Sequence, residues 1–496
     1  MALDSAPFLF IFLPVLVLLF HACCGRASSL SVALLPLASV IYCALIDPRT
    51  LPLLTAMILL NYGLVQAILR TPAGATVRAV LTTIGLIISL APLVLYKLDG
   101  GDGFGLMRPD GAGSQQLVPL GLAFYSLQQI TYLIDAQKNT TLKLSFVRHL
   151  AWSSLFCQLP AGPIAPYGTM APQYADLGKS RPAALDTLKG LSLVLFGLLK
   201  KTLIAAPLGH MITPLYRSAE TGSIHSIDAF TAMWGFMLEL YFNFSAFSDI
   251  AIGLALCFGL RLPVNFNSPL QARDLGDYVA RWHMSMMHFV RTYVFVPVFQ
   301  LLARCLNARM SLSLWAVATI ISFSAMGAWH SLSFTMISVW VIWACGLVGF
   351  QTYRSSRIYK RKAQEKLILG RFFKVFNILF LLFMMSVTAT WYRADSFDGF
   401  STIVSGLFGF GPSTSMIISV PRLMFFLAPI TLLTLACPNT MQIFGLISGK
   451  PSLLMRALTW RPNRSWGLLT GIAGVVFLLM ILSSGAEKGD FIYARF

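Results

Sequence analysis

Apolar runs recur along the chain near residues 7–23, 30–46, 50–69, 79–96, 186–210, 229–260, 312–350, 375–391, 422–437 and 466–484. A helix needs about 20 apolar residues to cross the hydrocarbon core of a bilayer, so the pattern predicts an integral membrane protein. The stretch from Met310 to Tyr353 holds no Asp, Glu, Lys or Arg and exceeds the ~25 residues that one crossing uses, so more than one crossing is expected there. The expected total is roughly eleven to thirteen spans, some tilted or re-entrant. Helices satisfy their own backbone hydrogen bonds in lipid, so many such runs in one chain predict an all-α, polytopic transmembrane helical bundle. The gaps are too short for a soluble catalytic domain, and residues 1–496 are expected to form a single membrane domain.

Between the runs, several segments have their own character. Pro160-Ala161-Gly162-Pro163-Ile164-Ala165-Pro166 places three prolines in seven residues within an otherwise apolar region. Irregular backbone at membrane depth survives only when buried in protein or lining a cavity, so this is a candidate re-entrant segment. Tyr96 to Gln116 is rich in Gly and Asp and is expected to be a solvated loop. Gln351 to Lys374 carries Arg354, Arg357, Lys360, Arg361, Lys362, Lys366, Arg371 and Lys374 against a lone Glu365, which predicts a basic cytoplasmic loop. Residues 485–496 pair a polar linker with the aromatic end FIYARF.

Composition changes this picture little. The chain is 56% hydrophobic and 11% charged, with a formal net charge of +18. That excess sits in short loops, where the positive-inside bias accounts for it without a nucleic-acid partner. The eight cysteines include no Cys-x-x-Cys pair and are expected to pack as small apolar side chains. Asp4 and the lack of Lys or Arg before the first apolar run argue against a cleaved signal, so the N-terminus is expected to stay attached.

Candidate chemistry concentrates in ARWHMSMMHFVRTYVF, Ala280 to Phe295. Asp274 and Asp277 favour a helix start, and Asp277 and Arg281 form an i, i+4 pair. At about 100° per residue, a continuous helix places Arg281, Met284, His288 and Arg291 on one broad face, with His283 about 140° from His288. From spacing alone, two readings stay open: an active-site element, or an interfacial helix anchored by Trp282 and Tyr293. His330 is the only side chain between Met310 and Tyr353 that normally titrates near neutral pH, and an ionisable residue inside a membrane is a functional candidate; the other reading is an interhelical hydrogen bond. Glu239 and Asp249 are a third constellation, either a proton path or buried carboxylates paired with arginine. Gly-x-Ser-x-Gly, His-Glu-x-x-His and a His with Asp five residues later are all absent. These absences remove α/β-type serine hydrolases, zincins and soluble-face glycerolipid acyltransferases.

Several blocks, taken in order, carry a resemblance over nearly the whole chain: PLGLAFYSLQQITYLID from Pro119, QLPAGPI from Gln158, YFNFSAFSDIAIGLALCFGLRLPVNFNSPL from Tyr241, ARWHMS, GAWHS, YRADSF and the terminal FIYARF. Together they resemble the membrane-bound O-acyltransferases, in the bacterial branch that contains the alginate O-acetyltransferase membrane subunit and the membrane protein of teichoic acid D-alanylation. The chain departs from that pattern with Asn243 in place of Asp, Ala246 in place of Gly, Ala280 in place of Arg and Ser331 in place of Gly.

The resemblance implies a bundle with re-entrant and interfacial helices around a tunnel, in the cytoplasmic (inner) membrane of a bacterium. It implies His330 as catalytic base and His283 as its partner on the donor side. It also makes Arg281, Arg291, Trp282, Trp329, Asn265 and Asp249 candidates for donor or substrate binding, and Tyr493 a candidate acyl relay. Acetyl-CoA is the implied donor, with no metal and no resident cofactor. The implied partners are a periplasmic acetyltransferase, membrane lipids and, indirectly, an alginate-like polysaccharide. The competing readings are a transporter or flippase without chemistry, and acylation of a lipid or protein hydroxyl.

Overall fold

The computed structural model describes residues 3–72, 74–98, 119, 121–138, 145–307, 311–356, 369–410, 415–448 and 453–483. The elements among these residues are helices and loops, with no strand. Ten helices are long and apolar enough to cross a membrane: Ser28–Ile46, Thr50–Arg70, Thr76–Leu98, Ala184–Glu220, Ser226–Cys257, Met284–Cys305, Leu312–His330, Phe334–Ser355, Val375–Arg393 and Arg464–Ile481. Two shorter apolar helices, Phe8–Cys23 and Val420–Ala436, accompany them. The protein is therefore a polytopic helical bundle. Met310 to Tyr353 does hold two crossings, separated by the short link Ser331 to Ser333. Exposed Phe425, Phe334, Leu432 and Leu18 show the apolar outer surface expected where lipid replaces water. Ser226–Cys257 is the exception, buried along nearly its whole length.

The chain packs as two compact units. The first comprises Met1–Leu198, Phe247–Val264 and Arg461–Phe496. Within it, the proline-rich segment is non-helical and buried, between the helices Phe146–Ser153 and Tyr167–Asp176. Its polar groups are met by protein: Phe156 N donates to Ser39 Oγ (3.0 Å), Trp152 Nε1 to Ala165 O (3.3 Å), and Gln158 Nε2 to Pro163 O (3.1 Å). Tyr167 N donates to Thr131 Oγ1 and Gly168 N to Asp135 Oδ2, each at 3.1 Å. Burial in protein, with protein groups taking these hydrogen bonds, is the condition on which irregular backbone is tolerated at that depth.

Two glycines bring the Ala184–Lys200 and Ser226–Cys257 helices together. A Cβ on Gly253 would lie 2.6 Å from Gly190 O and 2.9 Å from Val194 N, and one on Gly190 would lie 2.5 Å from Gly253 O. Those are backbone atoms, so a larger residue must push the helices apart. Gly253→Leu is therefore expected to cost at least ~1–3 kcal/mol and to lower the thermal midpoint in detergent. Gly63→Ala, where nothing lies within 4 Å, is the control and should leave the midpoint unchanged.

His149 is fully buried in a box of rings, with centroids of Tyr132 at 4.5 Å, Tyr62 at 5.0 Å, Trp152 at 5.6 Å and Tyr167 at 6.2 Å. Neither ring nitrogen has a hydrogen-bond partner among the described residues. Burial disfavours the imidazolium and pushes the pKa down from 6.5 to about 3. Above pH 6.5 the folded and unfolded states are both neutral at this residue. Below it, only the unfolded state takes the proton, so stability is lost at roughly 1.4 kcal/mol per pH unit as pH falls toward 3. The thermal midpoint should fall more steeply between pH 6.5 and pH 4.5 in the wild type than in His149→Phe. Equal slopes would show that His149 is not buried as a neutral ring.

The second unit comprises Leu199–Ala246 and Asn265–Trp460. Side chains tie its helices and loops together. Asp228 accepts from Ile417 N (2.8 Å) and Ile418 N (3.1 Å), and Trp234 Nε1 donates to Thr431 Oγ1 (2.8 Å). Trp391 Nε1 donates to Ser338 Oγ (2.8 Å) and Trp343 Nε1 to Thr388 Oγ1 (3.2 Å). Gln271 Nε2 donates to Thr434 O (3.0 Å) and Cys437 O (2.7 Å). The histidines at 283 and 330 both belong to this unit.

Candidate active site

The stretch from Asp274 is not the single helix that its spacing predicts. Asp274 does cap a helix, accepting from Asp277 N at 2.8 Å, but that helix runs only Leu275–Val279. A turn follows, and the next helix begins at Met284 and passes into a π-helical stretch, Val290–Phe295. His283 sits at the break with φ of 43°, a left-handed backbone that a β-branched or bulky residue seldom adopts. The wheel placing Arg281, Met284, His288 and Arg291 on one face therefore does not apply, because helical phase is lost at the turn.

Competing hydrogen bonds explain the break. Arg281 donates from Nε to Asp277 Oδ1 (2.6 Å) and from Nη1 to Asn267 O (3.1 Å), while Asn267 N donates to Arg281 O (3.0 Å). Met284 N donates to Asn265 O at 2.8 Å. Backbone groups that a continuous helix would pair internally are thus paired with the extended 265–267 segment.

This turn buries His283, which is 3% exposed. Its Nδ1 lies 3.3 Å from Asn265 Oδ1, and Ser285 Oγ donates to the same oxygen at 2.6 Å. Its Nε2 is buried with no hydrogen-bond partner among the described residues. The Phe244 ring meets it edge-on at 4.6 Å. Desolvation pushes the His283 pKa down to about 3, so the imidazole is neutral through the physiological range. Neutral imidazole is the form able to accept a proton.

Aromatic rings build the flank. Trp282 stacks on Tyr278 at 5.7 Å and 12°, and packs against Phe266 at 5.2 Å and Tyr241 at 6.3 Å. Tyr278 also meets Trp343 at 5.5 Å, and its buried hydroxyl has no partner among the described residues. His330 is the last residue of the Leu312–His330 helix and is 9% exposed. Its ring stacks on Trp340 (5.1 Å, 24°) and meets Trp329 at 4.5 Å.

Of the residues singled out from sequence, His283 and Asn265 share one hydrogen-bond cluster, with Arg281 and Trp282 in the same turn. His330 and Trp329 share a second cluster. Arg291 and His288 are exposed. Asp249 is buried in the first unit. Tyr493 lies outside the described residues, as does most of the basic segment after Ser356. Sequence reasoning passed over Ser285, Tyr278, Phe244 and Trp340. Ser285 stands two residues from His283 in the motif WHMS, so it was within reach, but the others come from helices whose phase relative to the turn only the fold supplies. It also passed over the side chain of Asn243, whose buried Oδ1 has no partner among the described residues.

The sequence model of the membrane-bound O-acyltransferase family matches residues 114–390. The chain belongs to that family. Among curated proteins it is 30% identical to the peptidoglycan O-acetyltransferase of Helicobacter pylori, over 62% of this chain and 61% of that protein. It is 26% identical to a probable alginate O-acetylase of Azotobacter vinelandii, over 84% of this chain and 79% of that protein. A teichoic acid D-alanyltransferase of Streptococcus thermophilus is 24% identical over 52% of this chain and 60% of its own length.

The fork of Arg281 is the part of the turn most easily tested. Arg281→Ala removes the donor to Asp277 Oδ1 and to the Asn267 carbonyl, which should cost ~1–3 kcal/mol and lower the thermal midpoint in detergent. An unchanged midpoint would show that the turn stands without this fork.

Proposed function

We propose that the protein is an O-acyltransferase of a bacterial cytoplasmic membrane, moving acetyl from cytoplasmic acetyl-CoA toward hydroxyls of an extracellular polysaccharide. The observation that carries this reading is His283, a buried neutral imidazole with one nitrogen unpartnered among the described residues, inside the segment that the family model matches. Two relatives, a peptidoglycan O-acetyltransferase and a probable alginate O-acetylase, support acetyl as the acyl group and a glycan as acceptor. Delivery to a glycan outside the cell would pass through a separate periplasmic transferase.

The chemistry needs little equipment. The acceptor hydroxyl adds to the thioester carbonyl while a base removes its proton, and His330 is assigned as that base. The tetrahedral intermediate collapses to the ester and expels the coenzyme A thiolate. That thiolate takes a proton back from the imidazolium, leaving the histidine neutral. Trp329 and Trp340 fix the plane of the His330 ring, and the apolar surroundings keep out water that would hydrolyse the thioester.

Purified protein in nanodiscs, given labelled acetyl-CoA and a soluble glycan acceptor, tests the assignment. His330→Ala should lose 10²- to 10⁴-fold in acetyl transfer, the usual scale for a general base. Equal turnover by the two proteins would remove His330 from the role. A wild-type protein that consumes no thioester with any hydroxyl acceptor would overturn acetyl transfer altogether, and with it the advantage of this reading over a transporter.

A further inference from the structure

The Asn265 amide oxygen accepts from two sides, from the Ser285 hydroxyl at 2.6 Å and from the His283 ring at 3.3 Å. The contact is a hydrogen bond when the ring proton is on Nδ1, which leaves Nε2 its lone pair. That Nε2 is the atom left buried with no partner among the described residues. The backbone enforces the arrangement, because Met284 N donates to Asn265 O and the left-handed φ of His283 turns the ring back toward the residue that orients it. A non-glycine residue in that region costs of order 1–3 kcal/mol, and it persists where its surroundings over-determine it.

We infer that Asn265 is a positioning residue that locks His283 as the Nδ1–H tautomer, so that His283 meets its substrate through Nε2 as a hydrogen-bond acceptor. The inference rests on the acyl-transfer reading and sharpens it. A thioester carbonyl offers only lone pairs and cannot pair with such a nitrogen. A hydroxyl or a thiol can, so the group that His283 engages is the acceptor alcohol or the free thiol of the spent donor, not the thioester oxygen. Polarisation of the carbonyl must then come from a donor elsewhere, and the buried Tyr278 hydroxyl, on the short helix before the turn, is a candidate. Asn265 itself touches neither substrate in this scheme and acts only through His283.

The test separates the tautomer from turnover. With 15N-histidine protein in nanodiscs, the resonances missing from His283→Gln identify the His283 ring, and their shifts should show a protonated Nδ1 and a bare Nε2. Asn265→Leu, which removes the acceptor, should lose that pattern and lower kcat roughly 10- to 100-fold, the usual scale for a residue orienting a functional histidine, with KM for acetyl-CoA unchanged. Asn265→Asp keeps an oxygen in the same place and should retain the Nδ1–H signature and most of the activity, which guards against a folding defect in the leucine variant. A wild-type ring protonated on Nε2, or an Asn265→Leu protein with wild-type kcat, would overturn the inference. The NMR result stands on its own if the wild type proves inactive with acetyl-CoA, in which case the acyl-transfer reading fails and the tautomer assignment does not.

Discussion

Lipid offers no hydrogen bonds, and the fold is shaped by the places where the backbone leaves the helix in spite of that. A departure is tolerated when protein groups take over the pairing. The first unit makes one in the 154–166 segment, closed by Ser39, Thr131, Asp135 and the side chains of Trp152 and Gln158. The second unit makes one at Asn265 to His283, closed by Arg281, Asp277 and the Asn265 backbone. The two differ in what they leave over. In the second, the groups closing the turn also hold a histidine in a backbone conformation that a helix would not allow, with one ring nitrogen engaged and the other bare.

Much of the fold was legible because its signals are local. Apolar runs of membrane length became helices, and the uncharged stretch around His330 divided into Leu312–His330 and Phe334–Ser355. Three prolines in seven residues marked buried irregular backbone, since proline removes donors that a helix would need. The break at His283 was not legible. Asp274, Asp277 and the i, i+4 pair with Arg281 are all present as expected, yet they close a helix of five residues because Arg281 spends its second donor on Asn267. Helical propensity is a weak prior that a few non-local hydrogen bonds override. No periodicity contains the partner fourteen residues upstream that decides the phase.

The site was legible only where family resemblance added to composition. Spacing left ARWHMSMMHFVRTYVF divided between lipid anchor and catalytic element, and the structure gives each half of the segment its own character. His288 and Arg291 are exposed, whereas His283 and Ser285 are buried around Asn265. Asn265 stood out as a donor-binding candidate from its motif. Its side chain is engaged with His283 and Ser285, a relation that needs the turn to exist before it can be seen.

His149 and His283 are both buried histidines, and they differ in how their ring nitrogens are met. Both are buried, and desolvation drives both pKa values down to about 3. Perturbed titration alone would therefore mark the two equally. Their geometry does not. His149 is walled by four rings and neither nitrogen is hydrogen-bonded among the described residues, so none of them selects one tautomer over the other. Among the described residues His283 has the Asn265 oxygen beside one ring nitrogen and no partner at the other, and such an asymmetry gives an imidazole a defined donor end and a defined acceptor end. Proton transfer requires such a direction, because a ring free to exchange tautomers presents the wrong end part of the time. Burial supplies the neutral form in both cases, and only at His283 does an amide oxygen lie beside one ring nitrogen.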